Sequence, residues 1–162
     1  MRAGLGRSLG CVILKGMSQG KNQFPAQSDE PHKYWSSAHT KHRLRYHLVF
    51  LPKYRKRVLE GKVATRLEEL LRQACAVNRW SLEELAIQPD HVHLLVQVQP
   101  KYSVSNVMRI LKGGSSRLLR SEFPELAEFL WGKSLWADGY FAATVGVVEG
   151  SVIRDYIRAQ QL

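Results

Sequence analysis

Four stretches of the chain carry the short apolar runs and the β-branched or aromatic residues that are typical of strands. They comprise residues 45–51, 82–88, 91–98 and 139–148. Pro52 ends the first stretch, because proline cannot donate a backbone hydrogen bond to a neighbouring strand. Pro89 and Asp90 are a turn signal between the second and third stretches, so we predict an antiparallel hairpin there.

Three further stretches repeat their apolar residues with the helical period. The first covers residues 62–78, with inward positions at Val63, Leu67, Leu70, Leu71, Ala74 and Val77. Ser103 is the predicted N-cap of a second helix that continues to about Arg120. Residues 149–162 form the third predicted helix, at the end of the chain.

The order β-α-β-β-α-β-α predicts an α+β fold, because its first six elements match the ferredoxin-like, RRM-like split βαβ plan. This plan is a sandwich in which an antiparallel sheet has its helices on one face. Side chains alternate between the faces of a strand. The third strand therefore has an aliphatic set that should meet the helices, Val92, Leu94, Val96 and Val98, and a set on the open face, His91, His93, Leu95 and Gln97.

Residues 1–38 hold repeated glycines and no sustained period, so we interpret them as a flexible N-terminal tail that precedes a single domain over residues 39–162. The chain has 24 Lys and Arg against 14 Asp and Glu, a net charge of +10. Such an excess favours a polyanionic partner, with nucleic acid the first choice. The alternative is a basic protein that has no such partner.

The cysteine content and the hydropathy exclude two classes of protein. Cys11 and Cys75 are too few for a disulfide framework and too far apart for a zinc knuckle, which agrees with a reducing, cytoplasmic location. No apolar run approaches the roughly 18–20 residues of a membrane span, so we expect no membrane partner.

His91 and His93 are the first candidates for chemistry. On a strand their side chains point the same way, with Cα atoms roughly 6.5–7 Å apart, so both imidazoles can reach one metal ion. The alternative is two polar residues on an exposed strand face. Asp90 has two interpretations, as a residue that orients a histidine and as a plain turn aspartate.

The last predicted helix offers further candidates. Tyr156 and Gln160 are four residues apart, so they share one face of a helix. The alternative interpretation makes Tyr156 a half-buried packing residue of an amphipathic helix.

Several segments, taken in order, resemble the single-tyrosine HUH transposases of the insertion-sequence 200/605 family, in which HUH denotes His, a hydrophobic residue and His. The resemblance runs from about His39 to the end of the chain. Its segments are YHLVFLPKYRKRVL (46–59), QPDHVHLLV (88–96), LKGGSSRLL (111–119), LWADGYFAATVG (135–146) and IRDYIRAQ (153–160).

The resemblance implies a DNA transposase that cleaves and rejoins single-stranded DNA at the ends of an insertion sequence. It implies that Tyr156 is the nucleophile and forms a 5′-phosphotyrosine intermediate. His91 and His93 would bind Mg²⁺ or Mn²⁺, with Gln160 as a third ligand. The resemblance also implies a homodimer that binds DNA hairpins, in which the tyrosine helix completes a site in cis or in trans.

Basic residues interleaved with aromatic rings are typical of single-strand binding, because cations follow the phosphates while rings stack on bases. Residues 41–57 have this composition, and the second predicted helix adds further basic residues. A solvated charged loop is the alternative. The predicted DNA-binding residues are Arg43, Arg45, Lys53, Tyr54, Arg55, Lys56, Arg57, Arg109, Lys112 and Arg117.

Two other functions stay open at the level of sequence. The first is a domesticated HUH nicking enzyme that acts on repeated DNA hairpins. The second is a single-stranded nucleic-acid-binding module without chemistry, which would bind DNA even after loss of Tyr156 and of metal.

Overall fold

The elements that the sequence predicts are present in a computed structural model, which describes residues 34–37, 39–128, 130, 134–146 and 149–161. Two short 3₁₀ turns occur at Lys53–Arg55 and Pro124–Ala127. The strands and helices are β1 (Trp35–Ser37), β2 (Thr40–His42), β3 (Leu44–Phe50), α1 (Gly61–Val77), β4 (Ser81–Gln88), β5 (His91–Val98), α2 (Val104–Glu122), β6 (Phe141–Thr144) and α3 (Glu149–Ala159).

Four strands form one antiparallel sheet in the order β4-β5-β3-β6. β4 and β5 are the predicted hairpin around Pro89 and Asp90. β3 lies beside β5, with Val49 opposite His93 and His47 opposite Leu95. This is the strand order of the ferredoxin-like plan, so the predicted fold class is confirmed.

One face of the sheet packs against α1 and α2. Its centre is Leu94, which is fully buried together with Leu48 and Phe50 of β3 and Leu67 of α1. Burying a side chain of this size contributes roughly 1.5–3 kcal/mol. Ser103 caps α2 as predicted, since its hydroxyl accepts a hydrogen bond from the Asn106 backbone N–H. This layer is the main hydrophobic core.

The opposite face differs from the prediction, because α3 covers part of it. Ile157 of α3 is fully buried against Leu95 of β5, Ala86 of β4 and Val145, and Ile153 packs beside them. The histidine face is therefore only partly open.

Three boundaries also differ from the sequence pattern. The last predicted strand, 139–148, is observed at Phe141–Thr144, and positions 147 and 148 lie outside the described residues. The last helix ends at Ala159, so Gln160 lies in the following turn. β1 lies within the predicted tail and pairs with β2, while residues 1–33 lie outside the described residues.

Two expectations about composition can be compared with the fold. Cys75 is fully buried in the core, as a small hydrophobic residue would be, and burial raises the pKa of its thiol to about 12. Cys11 lies outside the described residues. In the part of the chain that the structure describes, none of the helices combines the length and hydropathy that a membrane crossing requires.

Candidate active site

The two predicted metal-binding histidines lie together on β5. They alternate with Val92, so both side chains project from the face opposite α1 and α2. Their ring centroids are 4.9 Å apart with nearly perpendicular planes. His93 is buried, whereas His91 is partly exposed at the start of the strand.

His91 is held by its neighbour Asp90. The Nδ1–H of His91 donates to Asp90 Oδ1 at 2.6 Å, and the second carboxylate oxygen accepts from Arg55 Nε at 2.7 Å. The hydrogen bond from His91, together with that from Arg55, lowers the pKa of Asp90. The carboxylate is therefore ionised and accepts both bonds. Of the two interpretations of Asp90, the geometry supports the orienting residue.

His93 has a different partner, His47 of β3. The distance from His47 Nε2 to His93 Nδ1 is 3.0 Å, and the two rings are inclined by only 13°. Burial, and then the nearby charges of His91 and His47, lower the pKa of His93 to about 4. Burial also lowers the pKa of His47. Both rings are therefore neutral near pH 7.

Tyr156 lies beside this histidine pair within the same chain. Its ring centroid is 5.6 Å from that of His93, in an edge-to-face arrangement, and half of the residue is exposed. The alternative of a merely packed tyrosine fits less well, since Ile157, the next residue, makes the buried contact of this helix. The structure therefore brings together Tyr156, His91 and His93.

Gln160 lies further away, at the edge of β4. In the turn after α3 it lines a cavity of about 410 Å³ together with Thr65 and Glu68 of α1 and Gln88 of β4. Gln88 is the residue that pairs with His91. Within the described part of the chain, Gln160 has neither a hydrogen bond nor a ring contact with the two histidines.

The predicted DNA contact of Arg45 is wrong, because this residue is only 2% exposed. Its guanidinium makes two hydrogen bonds to Glu83, at 2.7 Å and 2.5 Å. Arg154 of α3 lies 3.5 Å from the same carboxylate. Gly150 packs directly over Arg45, since a Cβ there would lie 2.2 Å from Nη1. Arg45 therefore anchors α3 to the sheet and cannot reach phosphate.

Two further contacts hold the second half of α3. Arg158 pairs with Glu84 of β4 at 2.5 Å. Gln161 donates a side-chain hydrogen bond to the Leu85 carbonyl. Together with the Arg45–Glu83 pair, these contacts place the tyrosine helix across the histidine face.

Lys112, another predicted DNA-binding residue, is engaged within the protein. Its ammonium group has three N–H donors, and it donates to the carbonyls of Ala137, Asp138 and Gly139 at 2.6, 3.2 and 3.0 Å. Burial lowers the pKa of Lys112. The residue therefore fixes the segment that leads into β6.

The loop after β3 presents predicted DNA-binding residues to solvent. Tyr54 and Arg55 have φ angles of 59° and 51°, a conformation that costs energy for side-chain-bearing residues. Tyr54 is 69% exposed, and Lys56 and Arg57 are exposed beside it, whereas Lys53 is partly buried. This strained turn displays one aromatic ring among cations, next to Asp90.

The remaining predicted DNA-binding residues lie on other surfaces. Arg117 is exposed on α2 and lines a cavity of about 440 Å³ with Arg120 and Ser121. Arg109 is exposed and donates to Asn106. Arg43 is partly buried, with its guanidinium 6.0 Å from the ring centroid of Tyr34.

Sequence reasoning missed His47 and Phe141 as parts of the site. Phe141 of β6 is 56% exposed, and its ring centroid is 5.9 Å from that of His47. His47 could have been found, because the predicted plan pairs the first strand with the third. Phe141 gave no local signal beyond being aromatic in a strand.

A metal ion at this site would need ligands other than the usual anionic ones. Among the residues that the structure describes, no three His, Cys, Asp or Glu side chains are grouped to hold a metal. Both Nδ1 atoms are engaged, so the imidazole atoms of His91 and His93 that have no hydrogen bond to any described residue are the Nε2 atoms. Two imidazoles completed by amide or water oxygens form a donor set that fits Mn²⁺ somewhat better than Mg²⁺.

Comparisons with known proteins agree on one family. The sequence model described as "Transposase IS200 like" matches residues 40–160. The ISDra2 transposase TnpA of Deinococcus radiodurans is 38% identical over 119 residues, 74% of this chain and 85% of that protein. The transposase for insertion sequence element IS200 of Salmonella typhimurium is 37% identical over 125 residues, 77% of this chain and 82% of that protein.

Solved structures give the same result for the fold. A crystal structure from Deinococcus radiodurans R1 is 35% identical and superposes with a TM-score of 0.65, covering 78% of this chain and 97% of that one. The structure of a REP-associated tyrosine transposase bound to a REP hairpin has a TM-score of 0.56 at 12% identity, covering 81% and 76%. At that identity the likeness concerns the fold alone.

Proposed function

The chain belongs to the IS200-like transposase family, and on this premise we propose that it cleaves and rejoins single-stranded DNA through a covalent intermediate on Tyr156. The observation that carries the proposal is the contact between Tyr156 and His93, on the same sheet face as His91. The hydroxyl of the half-exposed Tyr156 can reach a phosphodiester, and the Nε2 atoms of His91 and His93 beside it can bind the cation that assists the attack.

The cleavage step exchanges one phosphate ester for another. Tyr156 loses its phenolic proton and its oxygen bonds to the phosphorus, while the bond from phosphorus to the 3′-oxygen breaks and the 3′-hydroxyl leaves with a proton. The product is a 5′-phosphotyrosine. Another 3′-hydroxyl reverses the step and releases Tyr156, so rejoining needs no external energy source.

His91 and His93 would hold a divalent cation, with Gln160 as the proposed third ligand. The family resemblance alone carries this assignment of Gln160, since the cavity that it lines contains Leu85, Ile87 and residues of α1 but neither histidine. A bound cation would polarise the scissile phosphate and stabilise developing charge. The protein positions both imidazoles in advance through Asp90 and the β3–β5 pairing.

The DNA strand is proposed to run over the histidine face between exposed aromatic rings. Phe141 flanks the site on β6, and Tyr54 stands in the strained turn beside Asp90. Rings of this kind stack on bases, while Lys56 and Arg57 neutralise phosphates. Arg117 is proposed as a separate phosphate contact on α2, at the other face of the sheet. A protein of similar fold, the REP-associated tyrosine transposase, is bound to a REP hairpin. We propose hairpin recognition here as well, and we retain the homodimer as a proposal.

The test uses single-stranded oligonucleotides copied from the DNA that flanks this gene, with Mn²⁺ or Mg²⁺. A denaturing gel should show protein covalently joined to DNA for wild type. The adduct should be absent from Tyr156→Phe and His91→Ala. Tyr140→Phe is the matched control, since Tyr140 is also exposed but contacts Lys112 instead, and it should form the adduct.

The gel also separates the rival functions. If wild type binds the strand and forms no adduct with either ion, the chain is a binding module and the catalytic roles are withdrawn. Cleavage of hairpins that lie outside any insertion sequence would instead identify a domesticated nicking enzyme.

A further inference from the structure

We infer that His47 is a positioning residue for the metal site: it accepts the Nδ1–H of His93 and so keeps the Nε2 lone pair of His93 free for a cation. The inference deepens the proposed function and rests on it for the role of His93. It concerns a residue of β3, far from the HVH segment in sequence, that the family resemblance did not single out.

The sheet register brings the two rings together. Val49 is opposite His93 and His47 is opposite Leu95, so His47 and His93 are diagonal neighbours on one face. The nitrogens are 3.0 Å apart, which is hydrogen-bond distance. Both residues are buried, at 9% and 6% exposure, so the pair is not an accidental surface contact.

Counting protons determines which ring must donate. Burial disfavours the charged form of an imidazole, so each ring carries one proton. If His47 donated, His93 would carry its own proton on Nε2, and both nitrogens of His93 would be blocked. If His93 donates from Nδ1, its Nε2 keeps a lone pair on the side of the site. Only the second arrangement is compatible with metal binding.

His91 is arranged in the same way. Its Nδ1 faces the carboxylate of Asp90, which can only accept, so Nδ1–H is the donor of this bond. In the neutral ring, Nε2 then carries the lone pair. Both histidines thus offer the same nitrogen, each fixed by a different acceptor. A carboxylate suits the more exposed position, while a neutral imidazole avoids burying a second charge beside His93.

The direct test is nitrogen-15 NMR of the histidine rings in the metal-free protein without DNA. We expect wild-type His93 to show a protonated Nδ1 and an unprotonated Nε2. A protonated Nε2 on His93 would overturn the inference, and this outcome needs no variant that must fold. This NMR measurement does not depend on DNA cleavage, so failure of the adduct assay would not contradict the tautomer assigned to His93.

A second test compares variants by their affinity for Mn²⁺, which is measured by electron paramagnetic resonance. His47→Phe keeps an aromatic ring but removes the acceptor, so His93 should change tautomer and affinity should fall about 10–100-fold. His47→Gln supplies an amide oxygen and should restore both. The control His42→Phe changes a histidine that contacts Trp35 instead and should match wild type. An unchanged tautomer and affinity in His47→Phe would contradict the inference.

Discussion

The two faces of the central sheet are formed by alternate residues of the same strands, yet they are stabilised differently. Leu94 faces α1 and α2 within a continuous apolar core. Leu95, the next residue, faces α3, where, among the described residues, its buried apolar cluster contains only Ala86, Val145 and Ile157. The smaller cluster is supplemented by charged pairs. The face covered by α1 and α2 therefore stabilises the fold. The face partly covered by α3 can hold polar side chains for chemistry.

The histidine face itself divides into an anchor and a site. The anchor comprises Arg45, Glu83 and Arg154, which join β3, β4 and α3. The site comprises Tyr156 and the histidines. The anchor places α3, and α3 places the tyrosine, so the two parts can be separated by mutation.

The largest effect is expected from Glu83→Ala, which leaves the buried Arg45 guanidinium without its carboxylate. Removing one partner of a buried ion pair costs about 3–5 kcal/mol. Part of this loss should appear as local opening of α3 in hydrogen exchange. The double variant Arg45→Met, Glu83→Leu should recover most of the stability in urea unfolding. A loss below about 1 kcal/mol in Glu83→Ala would contradict the anchor.

The adjacent pair Leu94→Ala and Leu95→Ala compares the faces directly. Both residues are fully buried, and such truncations cost about 2–5 kcal/mol. Leu94→Ala should lie near the upper end, because the large core cannot collapse around the cavity. Leu95→Ala should cost less, since α3 can shift to fill the space, but it should reduce adduct formation. Equal losses of stability would contradict the difference between the faces.

The histidine face should also make stability depend on pH. The pKa of folded His93 is about 4, below its unfolded value, so the unfolded state binds more protons between these values. The contribution of His93 to the free energy of unfolding is therefore complete above pH 6.5. It declines as the pH falls towards 4, by about 2 kcal/mol between pH 7.5 and 5. His47 acts in the same direction, and the lowered pKa of Asp90 keeps its carboxylate ionised over this interval.

Urea unfolding in the presence of a chelator would measure this slope in wild type and in His93→Gln. The variant should have a flatter profile between pH 7.5 and 5. Identical profiles would show that His93 titrates normally in the folded protein, against the account of a buried neutral ring.

The smallest effect concerns the basic surface. Arg117→Ala should lower the slope of log affinity for DNA against log salt by about 1, the value for one phosphate contact. Lys112→Ala should destabilise the segment before β6 and leave the slope unchanged, because its ammonium group is bound to carbonyls. Arg72, paired with Glu68 on α1, is the control arginine. A lower slope in Lys112→Ala would reverse this assignment.

The elements and the two faces of β5 could be predicted from sequence because they depend on local periodicity. The partners of charged residues could not. Arg45 and Arg55 belong to one basic segment, but Arg45 lies inside β3 and meets Glu83 of β4, whereas Arg55 lies in the turn that follows. A β-bulge between Leu82 and Glu84 accompanies that contact. No local pattern specifies such a pairing.

The partners of Lys112 could not be predicted from a local pattern either, because its three acceptors are carbonyls some 25 residues later along the chain. The end of α3 is another case. The periodicity continues to Gln160, but the helix ends at Ala159, where Gln161 bonds to β4 instead. Tertiary contacts determined both outcomes.

The central claim is that Tyr156 forms the covalent bond to DNA, and peptide mapping of the adduct tests it most directly. Trypsin should release residues 155–158, DYIR, in which Tyr156 is the sole tyrosine. After nuclease digestion, mass spectrometry should find a phosphonucleotide on this peptide when divalent cation was present during the reaction. A remnant on another tyrosine, or cleaved DNA with no modified peptide, would contradict the account.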